Sequence, residues 1–169
     1  MPCPLYFLLR SRFDQNNFLT KSKIMNVDET VEVGKFGPIY KQFSGNPKEA
    51  IKFLRKTKNG ECINALHRDD IGNIDIVWGE ITDPIKHKGY GLAHIIDKHE
   101  TEINRLGFDI EDFIPIIVQF GNFNLKKSDS QKSVFESDGF RFVVALESEN
   151  GGQIKKWLLT AFDIIKRPK

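Results

Sequence analysis

The feature that most limits the fold of this chain is a change of hydrophobic period at Gly121. Before it, three segments carry apolar residues at helical spacing, with start and stop signals. Asn46-Pro47 opens a helix over Pro47–Lys58, whose Ala50, Ile51 and Leu54 share one face, and Asn59-Gly60 closes it. A second helix runs from Tyr90 to about Asn104, and a third, capped by Asp109, runs from Ile110 to Phe120. After Gly121, apolar and polar residues alternate without helix caps. That pattern predicts strands at 122–127, 132–137, 139–147 and 154–162, with hairpin turns at Asp138-Gly139 and Glu149–Gly152. Two earlier strands, 61–67 and 73–78, flank the polar turn 68–72, and residues 80–89 read as a loop. Helices followed by an antiparallel meander predict an α+β domain with helices packed on one face of the sheet.

At 169 residues the chain has room for one domain with a sizeable core. Residues 1–33 show no sustained period and are set apart as an N-terminal extension, with Met25 as an alternative start. Residues 34–169 form the domain proper. The short apolar stretch Leu5–Leu9 is no export signal, no run reaches the length of a membrane span, and the two cysteines, Cys3 and Cys62, suit a reducing cytosol rather than a disulfide. The net charge is +2, a mild bias. It is unevenly spread, with acids clustered in 80–115 and lysines and arginines in 41–58 and 126–169. A basic surface of this kind serves a phosphate backbone or is simply solvated.

Only four histidines occur, and two, His94 and His99, lie on the second helix, while His87 precedes it and His67 lies in an earlier strand. On a helical wheel His99 joins Leu92, Ile95 and Ile96, so it is expected to face the core, held by one hydrogen bond. His94 falls on nearly the opposite face with Lys98 four residues on, a cation that lowers a neighbouring histidine's pKa. There it is either a solvated surface residue or a proton acceptor. An i,i+5 pair is poorly spaced for shared metal ligation, and no metal is expected.

From about residue 37 to 163 the chain presents, in order, Gly37–Tyr40, Gly45–Ile51, His67–Gly79, Gly89–His99 and Trp157–Phe162. In these pieces it resembles the phage-associated nuclease domains of the barnase–EndoU–colicin–RelE-like superfamily, found in phage polyvalent proteins and bacterial toxins. The resemblance implies a barnase/RelE-like endoribonuclease fold and RNA cleavage that needs no metal or other cofactor. It points to His94, His99 and Thr160 as catalytic residues, with Arg141 beside them from the sheet. Lys98, Lys126, Lys127 and His67 then contact the substrate. The implied chemistry is attack by the ribose 2′-hydroxyl, giving a 2′,3′-cyclic phosphate. A base and an acid move protons while cations stabilise the phosphorane. The expected partners are RNA, with tRNA as the default, and an immunity or antitoxin protein, and the expected site of action is the cytosol. A catalytically inactive RNA- or protein-binding module of phage origin is the alternative. Asp75 is either a support for a histidine or a solvent-facing strand residue. Tyr40, Trp78 and Trp157 either stack on bases or fill the core.

Overall fold

The computed structural model describes residues 31–164. Cys3, Leu5–Leu9 and Met25 lie outside the described residues. The elements run β1 (Val33–Gly34), β2 (Gly37–Tyr40), a 3-10 turn (Lys41–Phe43), α1 (Pro47–Thr57), β3 (Glu61–Arg68), β4 (Gly72–Val77), β5 (Glu80–Asp83) and β6 (Lys88–Tyr90). Then come α2 (Gly91–Arg105), α3 (Ile110–Phe120), β7 (Asn122–Phe123), a second 3-10 turn (Leu125–Lys127), β8 (Lys132–Ser137), β9 (Phe140–Ser148) and β10 (Ile154–Asp163). β1 straddles the boundary drawn between residues 33 and 34, since Val33 pairs with Pro38. No helix among the described residues is long and apolar enough to cross a membrane.

The fold is α+β. Eight strands form one sheet in the order β1-β2-β3-β4-β10-β9-β8-β7. It is mixed rather than purely antiparallel, because β2 runs parallel to β3 and β4 parallel to β10. The β4–β10 seam consists of the pair Trp157↔Asp75 and joins an N-terminal half-sheet to the C-terminal meander. Two local expectations change. The expected loop 80–89 is a hairpin, β5–β6, and the expected strand 122–127 is a two-residue strand followed by a 3-10 turn.

The helices contribute apolar stripes to a shared core. α1 buries Ala50, Ile51 and Leu54, and ends where Lys58 adopts a left-handed conformation (φ 52°) whose N–H donates to the Leu54 carbonyl. The left-handed cap is therefore Lys58, one residue before the Asn59-Gly60 signal. α3 buries Ile110, Phe113, Ile114, Ile117 and Val118, and carries Glu111 and Asp112 in its first turn, where the helix dipole favours acids. These residues meet Leu92, Ile95 and Ile103 of α2 and Phe135, Phe142, Val144, Leu158 and Ala161 of the meander.

A bulge controls which β10 side chains reach that core. Opposite β9 the register slips between Leu158 (paired with Val144) and Thr160 (paired with Val143), leaving Leu159 as the extra residue. Leu158 and Ala161, three residues apart, are thus both buried in the core. Thr160 and Phe162 instead join their cross-strand partners Val143 and Arg141 in one shallow concavity.

Helix α2 is docked by two glycines. Gly79 (φ +77°), just after β4, and Gly91 (φ +74°), the first residue of α2, meet backbone to backbone. A Cβ on Gly79 would run into the Tyr90 carbonyl, and one on Gly91 would lie 2.9 Å from both the Gly79 Cα and the Trp78 carbonyl oxygen. The Ala93 N–H then donates to that Trp78 carbonyl at 2.8 Å. Gly91→Ala is expected to lower the unfolding free energy by roughly 2–3 kcal/mol, combining left-handed strain with the clash. Gly151→Ala, at φ +93° but in open space, should cost only the backbone part, about 1 kcal/mol. Urea midpoints read both, and equal shifts would show that α2 does not rest on the contact.

Candidate active site

The glycine contact buries the whole first turn of α2, from Gly91 to Ile95. α2 also packs against the β5–β6 hairpin and β10. His94 is therefore not on a solvated face; it and His99 are each only 7% exposed. Their rings lie 5.7 Å apart, perpendicular, while α2 remains continuous through both. Ideal positions about 140° apart on a wheel thus do not keep the two rings apart. Nor does His99 have the expected hydrogen bond. The Nδ1 atoms of both rings are buried without partners, and the nearest carboxylate to His99, Glu102, is 3.8 Å away. What holds His99 is stacking on Phe162, centroids 5.1 Å apart and planes 18° apart. A buried polar atom without a partner costs about 1–3 kcal/mol.

Both imidazoles are held neutral at pH 7. Burial pushes His99 down to about 4, with the Lys98 ammonium and then His94 adding to the shift. His94 is lowered by burial first and Lys98 second. The Asp97 carboxylate acts in the opposite direction, and His87, on the hairpin, lowers His94 again; His87 is fastened to α2 by a 2.7 Å contact from its Nδ1 to Asp97 Oδ2. The β5–β6 hairpin is thus anchored beside the histidine pair.

A second group of residues meets in the sheet. The Asp138-Gly139 turn sets Glu136 opposite Arg141. Arg141 donates to Glu136 from Nε at 2.6 Å and also from Nη2. Lys127 Nζ donates to the same carboxylate at 2.8 Å, and Asn124 Nδ2 at 2.7 Å. These donors, Lys127 foremost, hold the Glu136 carboxyl down at about 2. Lys127, Lys132, Arg141, Thr160 and Phe162 line a concavity of about 450 Å³. Thr160 Oγ1 is buried there without a partner. Phe162 links the two groups, since it stacks with His99 and takes the Arg141 guanidinium 5.5 Å from its ring centre.

The structure therefore brings His94 to His99, and Arg141 to Lys127 and Thr160. Lys98 is exposed on α2, close enough to act on both histidines. Lys126 is exposed and does not line the concavity. His67 stands apart: exposed on β3, it contacts Asn73 at 2.7 Å and lines another groove with Pro47 and Pro115. Asp75 supports no histidine. It is buried, accepts from the Asn64 N–H at 2.7 Å and faces Lys155, which also binds the fully buried Glu61. Trp157 is buried against Phe36 and Tyr90, Trp78 packs on the core, and Tyr40 packs on Phe53, so these rings serve packing. Glu136, Asn124, Lys132 and Phe162 were not foreseen. Glu136 was within reach, because a two-residue turn at 138–139 dictates that residues 136 and 141 face each other.

The profile of the phage-Barnase-EndoU-ColicinE5/D-RelE like nuclease 1 family matches residues 65–168. The chain belongs to this family. The match covers α2, α3 and the whole meander, and so both groups of site residues. No curated protein and no solved structure matches the chain. The family name marks the domain as nuclease-like, on an α+β framework.

The neutral state of His99 has a consequence for stability. Between pH 6.5 and 4 the unfolded histidine carries a proton that the folded one lacks. Stability is therefore intact above pH 6.5 and falls as the pH drops through that window, by about 3 kcal/mol from this residue. His99→Phe, which keeps a ring against Phe162, should lose that part of the slope. Urea unfolding at pH 7, 5 and 4 compares the two proteins, and parallel curves would show that His99 is not held neutral.

Proposed function

We propose that this nuclease-family domain is an endoribonuclease, cleaving RNA by attack of a ribose 2′-hydroxyl on the adjacent phosphate. The observation that carries this reading is the pair of buried, neutral histidines with unpartnered Nδ1 atoms, linked through Phe162 to Arg141. The nucleophile is already attached to the substrate, so the protein must supply proton transfer and charge stabilisation. A neutral imidazole at pH 7 accepts the 2′-hydroxyl proton. A nearby phosphate favours the protonated form of the other ring, which then donates to the departing 5′-oxygen.

In this reading the neutral His99 is the accepting ring, and His94 is the ring that the phosphate protonates and that donates to the departing oxygen. Arg141 offers a planar fork to phosphate oxygens and Lys127 a point charge. The Thr160 hydroxyl donates to a non-bridging oxygen. Lys98 and Lys126 lie outside this set and contact flanking phosphates. The reaction requires no metal, since the cations and imidazoles supply what a metal otherwise would. Single-stranded loops offer the splayed nucleotides that in-line attack needs, so a cytosolic tRNA is the substrate of choice. A cell making such an activity requires an inhibitory protein partner.

The test is incubation of purified protein with total bacterial RNA in EDTA. Discrete fragments ending in 2′,3′-cyclic phosphate are expected. His94→Ala and His99→Ala should each slow cleavage by about 10²–10⁴-fold while leaving RNA affinity within a few-fold. Cleavage seen only with added magnesium would remove the metal-free mechanism. Bound but intact RNA would make the domain an inactive binding module.

A further inference from the structure

Glu136 is difficult to account for as a plain surface ion pair. Its side chain is 20% exposed, and its two oxygens accept from Arg141 Nε and Nη2, Lys127 Nζ and Asn124 Nδ2. Those donors come from three places in the chain: β9, the 3-10 turn after β7, and the residue capping that turn. Asn124 also accepts from the Lys127 backbone N–H at 3.3 Å, so the carboxylate and the turn hold one another. An exposed pair usually involves one donor and contributes little. Four N–H groups around one planar anion are the donor set that a phosphodiester takes.

In charge, Glu136 cancels one of the three cations lining the concavity, and Asp129 lies 3.7 Å from Lys132. An RNA phosphate approaching Arg141 thus meets a site whose donors already serve a carboxylate. That arrangement weakens binding of the ground state. It also fixes the guanidinium on the Phe162 ring and the ammonium beside it, where free arginine and lysine side chains would sample many rotamers.

We propose that Glu136 is a positioning residue. Its carboxylate holds Arg141 and Lys127 as a preformed clamp for one phosphodiester group and yields some of their N–H groups to the phosphate oxygens when RNA binds. This inference rests on the nuclease reading for its kinetic part and on the clamp geometry alone for its binding part. The role sets tight binding against turnover: without the carboxylate the cations attract RNA more strongly and hold the phosphate less well.

The experiment measures binding of a 2′-O-methyl oligoribonucleotide, which cannot be cleaved, and turnover of the unmodified strand. It uses the wild-type chain, Glu136→Ala, Glu136→Gln and Glu136→Ala/Arg141→Ala. Glu136→Ala should bind the 2′-O-methyl strand about fivefold more tightly near 0.1 M salt, with a salt slope steeper by about 0.7, the contribution of one added phosphate contact. Its kcat should fall by about tenfold or more, because a loosened clamp misplaces the phosphate. The gain in affinity should vanish in the double variant. Glu136→Gln keeps one acceptor oxygen and should lie between wild type and Glu136→Ala; it also serves if the alanine variant fails to fold.

Unchanged affinity and unchanged kcat in both single variants would overturn the proposal. So would parallel losses of affinity, kcat and thermal stability, the mark of a merely structural residue. If the wild-type chain binds the 2′-O-methyl strand but cuts nothing, the nuclease reading fails, while a tighter Glu136→Ala variant still supports the clamp. A wild-type chain that neither binds nor cuts would overturn both.

Discussion

The close approach of Gly79 and Gly91 is the constraint on which the rest of the site depends. A helix that begins at a strand end normally needs a connecting loop with room for side chains. Here the backbone leaves β4, passes through the β5–β6 hairpin and returns at Gly91 to within van der Waals distance of its own departure point. The Ala93 N–H, one of the orphan donors at a helix start, is satisfied by the strand carbonyl of Trp78 rather than by a side-chain cap. Closing the gap in this way leaves no solvent around the first turn. His94 is buried because of where its helix starts, not because of which face it occupies.

Burial then sets the chemistry. Desolvation is the largest influence on both histidines, and Lys98 adds to it on each. The same effect appears elsewhere in the fold with other outcomes. The free Cys62 thiol is pushed up to about 12 by burial, with the Asp75 charge adding to the shift, and so is kept from reacting. Asp75 is raised by burial as well, against the pull of the Asn64 N–H and Lys155. Lys155, joined to Glu61 and facing Asp75, ties β10 to β3 and β4 beside the Trp157↔Asp75 seam, where the ladder itself contributes one pairing. Breaking such a buried pair by removing one partner typically costs 3–5 kcal/mol. The pair therefore belongs to the architecture and not to the proposed reaction.

Much of the framework was legible from local pattern. The stripe Ala50-Ile51-Leu54, the hydrophobic face of α3 and the Asp138-Gly139 hairpin each follow from a period or a turn signal within a dozen residues. What escaped is non-local or one residue in size. The β5–β6 hairpin has no apolar alternation. It is fixed instead by the backbone approach of Gly89 to Glu80 and by His87 bonding to Asp97 on the helix that follows. The parallel β4–β10 contact joins residues 75 and 157, a separation that no window spans. The Leu159 bulge moves Thr160 and Phe162 relative to an unbroken alternation, and a single-residue slip of this kind leaves little trace in composition. The histidine pair was legible as residues but not as a pair. A wheel sorts side chains by one axis, whereas α2 is enclosed by β4, the hairpin and β10 together.

The separation of the two residue groups follows from conflicting physical needs. A histidine that accepts a proton at neutral pH must be kept from charging, which favours a dry site with a cation nearby. A phosphate clamp must keep its charge, which favours hydration or a counter-ion. One small pocket supplies both conditions poorly, because the desolvation that lowers His99 would also penalise Arg141 and Lys127. The fold places the imidazoles in the enclosed start of a helix and the cations at the rim of a strand groove, with Glu136 as their counter-ion. Phe162 joins the two without carrying charge, stacking on the neutral ring and accepting the guanidinium over its π-face. Its position depends on the bulge at Leu159, since with Leu159 paired in regular register the alternation of β10 would send Phe162 toward the core and Ala161 toward the groove. Whether Leu159 bulges or pairs thus decides whether the histidines and the cations address the same region of the molecule.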